Sequence, residues 1–228
     1  MKFLRFVPMR SLADFGIPVP IKRLLPDWFK NAESEYTLAD GFTGAGLKKC
    51  MPYTDALLSG YALTFPVDVT VSTDEEGKKV FEWDRKEFGH NFIGVRPFEL
   101  GATMPRPFGF AEQHNVFSGW WGVKTPRGWS LLVTHPFNRA DLPFHTVSAI
   151  IDADEFSGSG NIPFFIRQDF NGIIKKGTPL AQLVPVKRES WKMTIDHGLY
   201  DETHIKSQIV RQEETPYKVI AWHRKKYD

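Results

Sequence analysis

Asp152 and Asp154 are the residues of this sequence with the plainest chemical meaning. They follow the apolar pair Ile150-Ile151 and are separated by Ala153 alone. On a continuous strand, side chains two apart project from the same face. Two carboxylates so placed repel each other, which raises at least one pKa and suits the pair to hold a divalent cation or supply a general base. The competing reading ends the strand at Ile151 and uses Asp152 to open a turn, where Asp is favoured. Gln182 is the second residue of interest, a polar side chain flanked by Ala181 and Leu183. If buried it needs partners: a ligand, a neighbouring subunit or, by default, the local backbone.

Other groups carry weaker signals. His90, His114, His135 and His145 could form a two-His-one-carboxylate iron site with Asp141 or Glu112. No HxH, HxD or HExxH spacing is present, so they read as surface or hydrogen-bonded histidines. Ser130 and Ser148 lack a nucleophile-elbow context, and there is no P-loop or dinucleotide fingerprint. Cys50 is the single cysteine, which rules out an intrachain disulfide. Lys48 and Lys49 beside it would favour thiolate, but Leu47 and Met51 suggest a half-buried strand residue. Lys187-Arg188 and Arg224-Lys225-Lys226 are short clusters that read as solvated faces.

The elements that must position these residues concentrate between Trp120 and Val186. Strands are expected at Trp120 to Lys124, Trp129 to Thr134, Val147 to Asp152, Ile162 to Arg167 and Leu180 to Val186, each closed by Gly, Pro, Asn or Asp. Pro126 at the second place and Gly128 at the fourth favour a type I turn over Thr125–Gly128. Upstream, Val67, Val69 and Val71 alternate with Asp68 and Thr70, as in a half-buried strand, and Lys79 to Trp83 returns after a hairpin loop over Asp74–Gly77. Leu47 to Pro52 also reads as a strand, with Asp55–Leu58 as a turn of helix. Residues 1–25, with Pro18 and Pro20 at alternate positions, read as an extended arm. Pro26 opens a short helix and residues 33–46 form a polar loop. Residues 84–119 look like irregular excursions around one or two strands. After residue 190, Asp201 caps a helix carrying Ile205, Gln208 and Ile209, and Thr215-Pro216 starts another around Val219, Ile220 and Trp222.

This gives a mainly β chain in three parts: an arm and loop over 1–46, a core over 47–190 with an insertion at 84–119, and a helical tail over 191–228. The hydrophobic share of 42% and charged share of 25% are those of ordinary globular proteins. A net charge of +2 excludes non-specific nucleic-acid binding as a reading of the total. With 19 Phe and 7 Trp, short strands packed by aromatic rings are expected. No run of about 18 apolar residues predicts a membrane span. MKFLRFVPMR lacks a signal-peptide pattern, which predicts synthesis in the cytoplasm.

Four stretches together resemble the trimeric dUTPase and dCTP deaminase family, whose fold is a β-clip. SGYALTFPVDVTV is similar to its first motif region, PRGWSLLVTHPF to the strand leading into its second, IIDADEFSG to its third and KKGTPLAQLVPV to its fourth. The order agrees over residues 55–188. The resemblance implies a dUTPase-like β-clip or distorted barrel, with Asp152 at the water-activating position. The departures fall on phosphate handling. Ala62 stands where the first motif has Asp, and Pro136-Phe137-Asn138-Arg139 replaces Pro-Arg-Ser-Gly. Arg139 is therefore displaced, and no serine holds the phosphate-contacting place. Glu155 or Phe156 replaces a Tyr, and the last residues have no counterpart of the Gly-rich closing arm.

A base without phosphate clamps lacks the positioning on which phosphate-ester chemistry depends. The expectation is a non-enzymatic structural or assembly protein, a phage virion component of the capsid-associated or decorating kind. It would associate with copies of itself, the family's trimer being the implied state, and with other assembly proteins, passing from cytoplasm to virion. The alternative is a nucleotide-binding or nucleotide-hydrolysing enzyme using Asp152, Asp154, Gln182 and Arg139 with Mg²⁺. A metal-dependent oxygenase is the third reading.

Overall fold

Alternating burial, visible in the sequence as Val69-Thr70-Val71, is what the sheets are built on: both valines are buried and Thr70 is exposed. The computed structural model describes residues 2–101, 103–211, 217, 218 and 221–228. In chain order the strands begin with β1 (Arg5–Pro8), β2 (Val19–Pro20), β3 (Glu35–Thr37) and β4 (Thr43–Ala45). Next come β5 (Tyr61–Thr64), β6 (Val69–Thr73), β7 (Lys79–Glu82) and β8 (Ile93–Val95). Then follow β9 (Asn115–Ser118), β10 (Trp121–Lys124), β11 (Trp129–Thr134) and β12 (Phe144–Thr146). The last are β13 (Ala149–Ile151), β14 (Asn161–Ile166), β15 (Gly172–Ile174) and β16 (Pro179–Lys187). The helices are α1 (Asp27–Lys30), α2 (Met51–Leu58) and α3 (Leu199–Arg211).

The chain divides into two compact units. One comprises Met1–Leu24 with Gly60–Arg188, and the other Leu25–Ser59 with Glu189–Asp228. In the first, a five-stranded sheet has the order β13-β11-β16-β5-β2 and a four-stranded sheet the order β12-β14-β9-β8. A three-stranded sheet β15-β6-β7 and the pair β1-β10 complete it. Every pairing is antiparallel. The mainly β expectation therefore holds, and the five expected strands between Trp120 and Val186 are present with ends shifted by a few residues.

Aromatic rings fill the interior. Phe65 meets Phe92, Phe117 and Phe144 with ring centroids 6.1, 5.3 and 5.5 Å away. Phe117 stacks on Phe164 at 3.9 Å. Phe88, Phe92 and Phe117, all within the 84–119 stretch, show that the insertion supplies core as well as surface. The N-terminal residues also belong to the sheets: β1 pairs with β10, and β2 extends the five-stranded sheet along β5. Pro20 is accommodated because β2 is an edge strand, where a missing N–H costs no ladder bond. Gly60 enters β5 at φ 79°, and a Cβ there would collide with the Leu183 carbonyl.

Several local expectations are corrected. The turn before β11 spans Pro126–Trp129, closed by the Trp129 N–H on the Pro126 carbonyl at 3.1 Å. Gly128 then sits third with φ 80°, which defines type II rather than type I. In the second unit, Leu47–Lys49 is a 3-10 turn and α2 begins at Met51, with Pro52 in its first turn. Cys50 at this junction is exposed, not a half-buried strand residue. Residues 33–46 contain the hairpin β3-β4, whose Glu35 carboxylate is ion-paired with Lys49. α3 starts at Leu199, so Asp201 lies in its first turn instead of capping it. The Trp222 indole and Lys225 both donate to Asp55 Oδ2, at 2.9 and 2.5 Å. The side chain of Ile209 and most of the helix expected from Thr215 lie outside the described residues.

Candidate functional site

β11 is the element from which every candidate residue is placed. It pairs with β13 on one side and β16 on the other, with Leu131 opposite both Ile151 and Pro185. β13 stops at Ile151, and Asp152 opens a turn whose carbonyl accepts the N–H groups of Glu155 and Phe156 at 3.0 and 2.9 Å. Asp152 and Asp154 thus leave the strand before alternation can align them on one face. Asp152 stays exposed, whereas the Asp154 side chain is only 2% exposed.

Arg188, immediately after β16, joins them. Its N–H meets the Gly128 carbonyl at 2.9 Å across the end of β11. Its guanidinium donates through Nη1 to Asp154 Oδ1 at 2.6 Å and Asp152 Oδ1 at 3.1 Å, and through Nη2 to Asp154 Oδ2. The fork on Asp154 is bidentate, the strong geometry for this pair. The Gly128 N–H adds a bond to Asp154 Oδ2 at 2.8 Å, and the Ser130 hydroxyl donates to Asp152 Oδ1 at 2.7 Å. The Arg188 hydrogen bonds, reinforced by the Gly128 N–H, hold the Asp154 carboxyl down at about 2, and the same pairing raises Arg188. A base must accept a proton near its working pH, and Asp154 is tuned in the opposite direction.

The donor set does not fit Mg²⁺. A hard dication takes oxygen ligands, and here both carboxylates already serve a guanidinium that would repel it. Among the described residues no cluster of three or more His, Cys, Asp or Glu side chains could hold a metal.

Gln182 and Arg139 lie elsewhere. Gln182 pairs with Thr134 in β11, four residues from Ser130, about 13 Å along a strand at the usual rise. Its side chain is fully buried, and Oε1 accepts the Phe137 N–H at 2.8 Å. Thus Gln182 supports the backbone of the loop after β11, the default reading. That loop turns through Asn138 at φ 58°, a conformation Asn tolerates better than most residues. Arg139 Nε and Nη2 each donate to Asp141, at 2.9 Å, and Nη1 reaches the Leu24 carbonyl at 3.4 Å. The sequence-predicted residues form two clusters at opposite ends of β11, not one pocket.

His135 completes the second cluster. Its Nδ1 accepts the Thr146 N–H at 3.3 Å, which leaves Nε2 as the donor to the Arg139 carbonyl at 3.0 Å. Burial pushes its pKa down to about 4. His145, 4.8 Å away between ring centroids, is lowered by burial too. Sequence reading missed Arg188, taken there for a solvated cation. The signal was its place just past β16, but using it required the strand order β13-β11-β16, which no local pattern carries.

Neither a family model nor a curated protein matches the sequence. Solved structures do show a likeness, to the dUTPase of phage phi11 of S. aureus at 19% identity and a TM-score of 0.28. It covers 48% of this chain and 99% of that one. The dUTPase of Staphylococcus bacteriophage 80alpha is similar at 16% identity over 49% of this chain and 99% of its own, with a TM-score of 0.26. The phi11 structure is described as coordinating a structural Mg(II) ion. No helix among the described residues is long and apolar enough to cross a membrane.

Proposed function

We propose that this chain is a non-enzymatic structural or assembly protein on a dUTPase-like β scaffold, and that it works as an oligomer. The observation that carries this reading is the employment of the would-be catalytic groups. Asp152 and Asp154 are bound to Arg188, while Gln182 and Arg139 hold a loop at the far end of β11. Each group satisfies the protein itself, and none is left aimed at a common reacting centre.

The surface supports association. β13 is an open sheet edge carrying Ile150, 69% exposed, with Phe156, 60% exposed, in the turn beyond it. Unpaired edges with exposed apolar side chains are the usual sites of strand or subunit pairing. The setting we favour is a phage particle, on the combination of a compact β core with aromatic-rich surface. Sedimentation velocity tests the association: a discrete oligomer is expected at micromolar concentration. A monomer at every concentration, with Ile150→Lys having no effect on sedimentation, would remove the reading.

A further inference from the structure

Residues 189–196 follow β16 and precede α3, and they belong to no helix or strand. Within them, Trp191-Lys192-Met193-Thr194-Ile195-Asp196 alternates apolar and polar side chains, the pattern of a half-buried strand. Yet Trp191, Met193 and Ile195 are 84, 88 and 73% exposed. An apolar residue exposed singly is ordinary, whereas three large ones at a period of two form a face suited to a partner.

The first unit holds a site with the complementary pattern. β13 is an open edge of the five-stranded sheet. Leu131 and Val133, both buried, stand opposite Ile151 and Ala149, so these two point inward while Ile150 points out. Beside this edge is a hollow of about 60 Å³, lined by Val123, Leu131, Ile151, Phe156, Gly158 and Gly160 among others. Its lining is apolar but for Asn161, so it offers water few partners and suits apolar side chains. A strand laid beside β13 must turn apolar residues inward, over the hollow, and polar ones outward. Trp191 to Ile195 supplies that alternation.

The chain is too short to lay its own Trp191 there. Arg188 still faces β11, its N–H on the Gly128 carbonyl at 2.9 Å. With the order β13-β11-β16, a strand beyond β13 lies three strand spacings from β16, about 14 Å at about 4.8 Å each. The three residues from Arg188 to Trp191 reach about 10–11 Å when fully extended. A second copy has no such limit. We infer that residues 191–196 of one copy add a sixth strand beside β13 of another, with Trp191, Met193 and Ile195 covering the hollow. Main-chain bonds to the open edge then give affinity, and the alternate side chains give specificity. The inference rests on the assembly reading and names the segment that makes the contact.

The test compares the full chain with a Trp191→Ser/Met193→Ser variant by sedimentation velocity. Both side chains are exposed in the single chain, so its fold does not depend on them. The parent should form a discrete oligomer, and the variant should dissociate at least about a hundredfold more readily, the effect of two large apolar side chains lost from a contact. Lys192→Ser, on the polar side, should stay within about threefold of the parent. Position is read by cross-linking in a Cys50→Ser background, which removes the exposed native thiol. Chains carrying Met193→Cys are mixed with chains carrying Ala149→Cys and treated with a short bismaleimide. A covalent dimer containing one chain of each kind is expected. An oligomer unchanged in Trp191→Ser/Met193→Ser, or a mixture that yields no such dimer, overturns the inference and leaves the assembly reading standing. A parent that is monomeric at every concentration overturns both.

Discussion

Gln182 and His135 illustrate how far single residues reveal their role. An isolated polar residue between Ala181 and Leu183 announces a buried amide, and its default partner, the backbone, is what Phe137 supplies. Replacing Gln182 with Ala leaves the Phe137 N–H unpaired and should cost about 1–3 kcal/mol, read as a lowered urea midpoint at unchanged slope. His135 could not be read this way, because its burial depends on how the chain folds β12 back against the end of β11. Its folded pKa of about 4 lies below the unfolded value of 6.5. The unfolded chain therefore binds the proton first as pH falls, so this contribution is complete above about pH 6.5 and is lost towards pH 4, about 3 kcal/mol in all. Asp154, also depressed, acts in a lower window: its contribution is present above about pH 3.8 and is lost as pH falls towards 2. Urea midpoints across that range should fall steeply for the parent and more shallowly for His135→Gln.

At the scale of elements, the Asp152–Asp154 spacing invited a strand-face reading that the early end of β13 removes. The stop at Ile151 follows from the turn that Asp152 opens, its carbonyl accepting the N–H groups of Glu155 and Phe156, an outcome the sequence allowed but did not select. Strands such as β11 and β16 were readable because apolar runs bounded by Gly and Pro survive any tertiary context. The 3-10 turn at Leu47 and the helix from Met51 were not, because the hexapeptide Leu47–Pro52 is too short to show a period. Arg188 is the clamp that ties the end of β16 to the turn after β13 and to the start of β11. Arg188→Ala leaves the nearly buried Asp154 carboxylate without its cation. It should destabilise the fold at neutral pH and shift Asp154 upward, both observable by thermal melting and by carboxyl NMR titration. Arg188→Lys should restore only part of the loss, since an ammonium cannot reproduce the bidentate fork.

For the whole molecule, the sequence conveyed the class of fold and the scarcity of phosphate-handling groups, but not the strand order that sorts the remaining groups. Asp152 and Gln182 look like parts of one site when aligned by motif. The pairing of β11 with both neighbours separates them along its length and gives each a structural partner. The same topology draws the N-terminal strands and the 84–119 stretch into the core, so parts that look like decoration carry stability. The central claim, that these groups build the protein rather than turn over a substrate, is tested most directly by pyrophosphate release. Purified chain is incubated with each deoxynucleoside triphosphate and Mg²⁺, beside Asp152→Asn. Release no faster than the protein-free blank, identical in parent and variant, is the predicted result. Release by the parent that Asp152→Asn abolishes would contradict it.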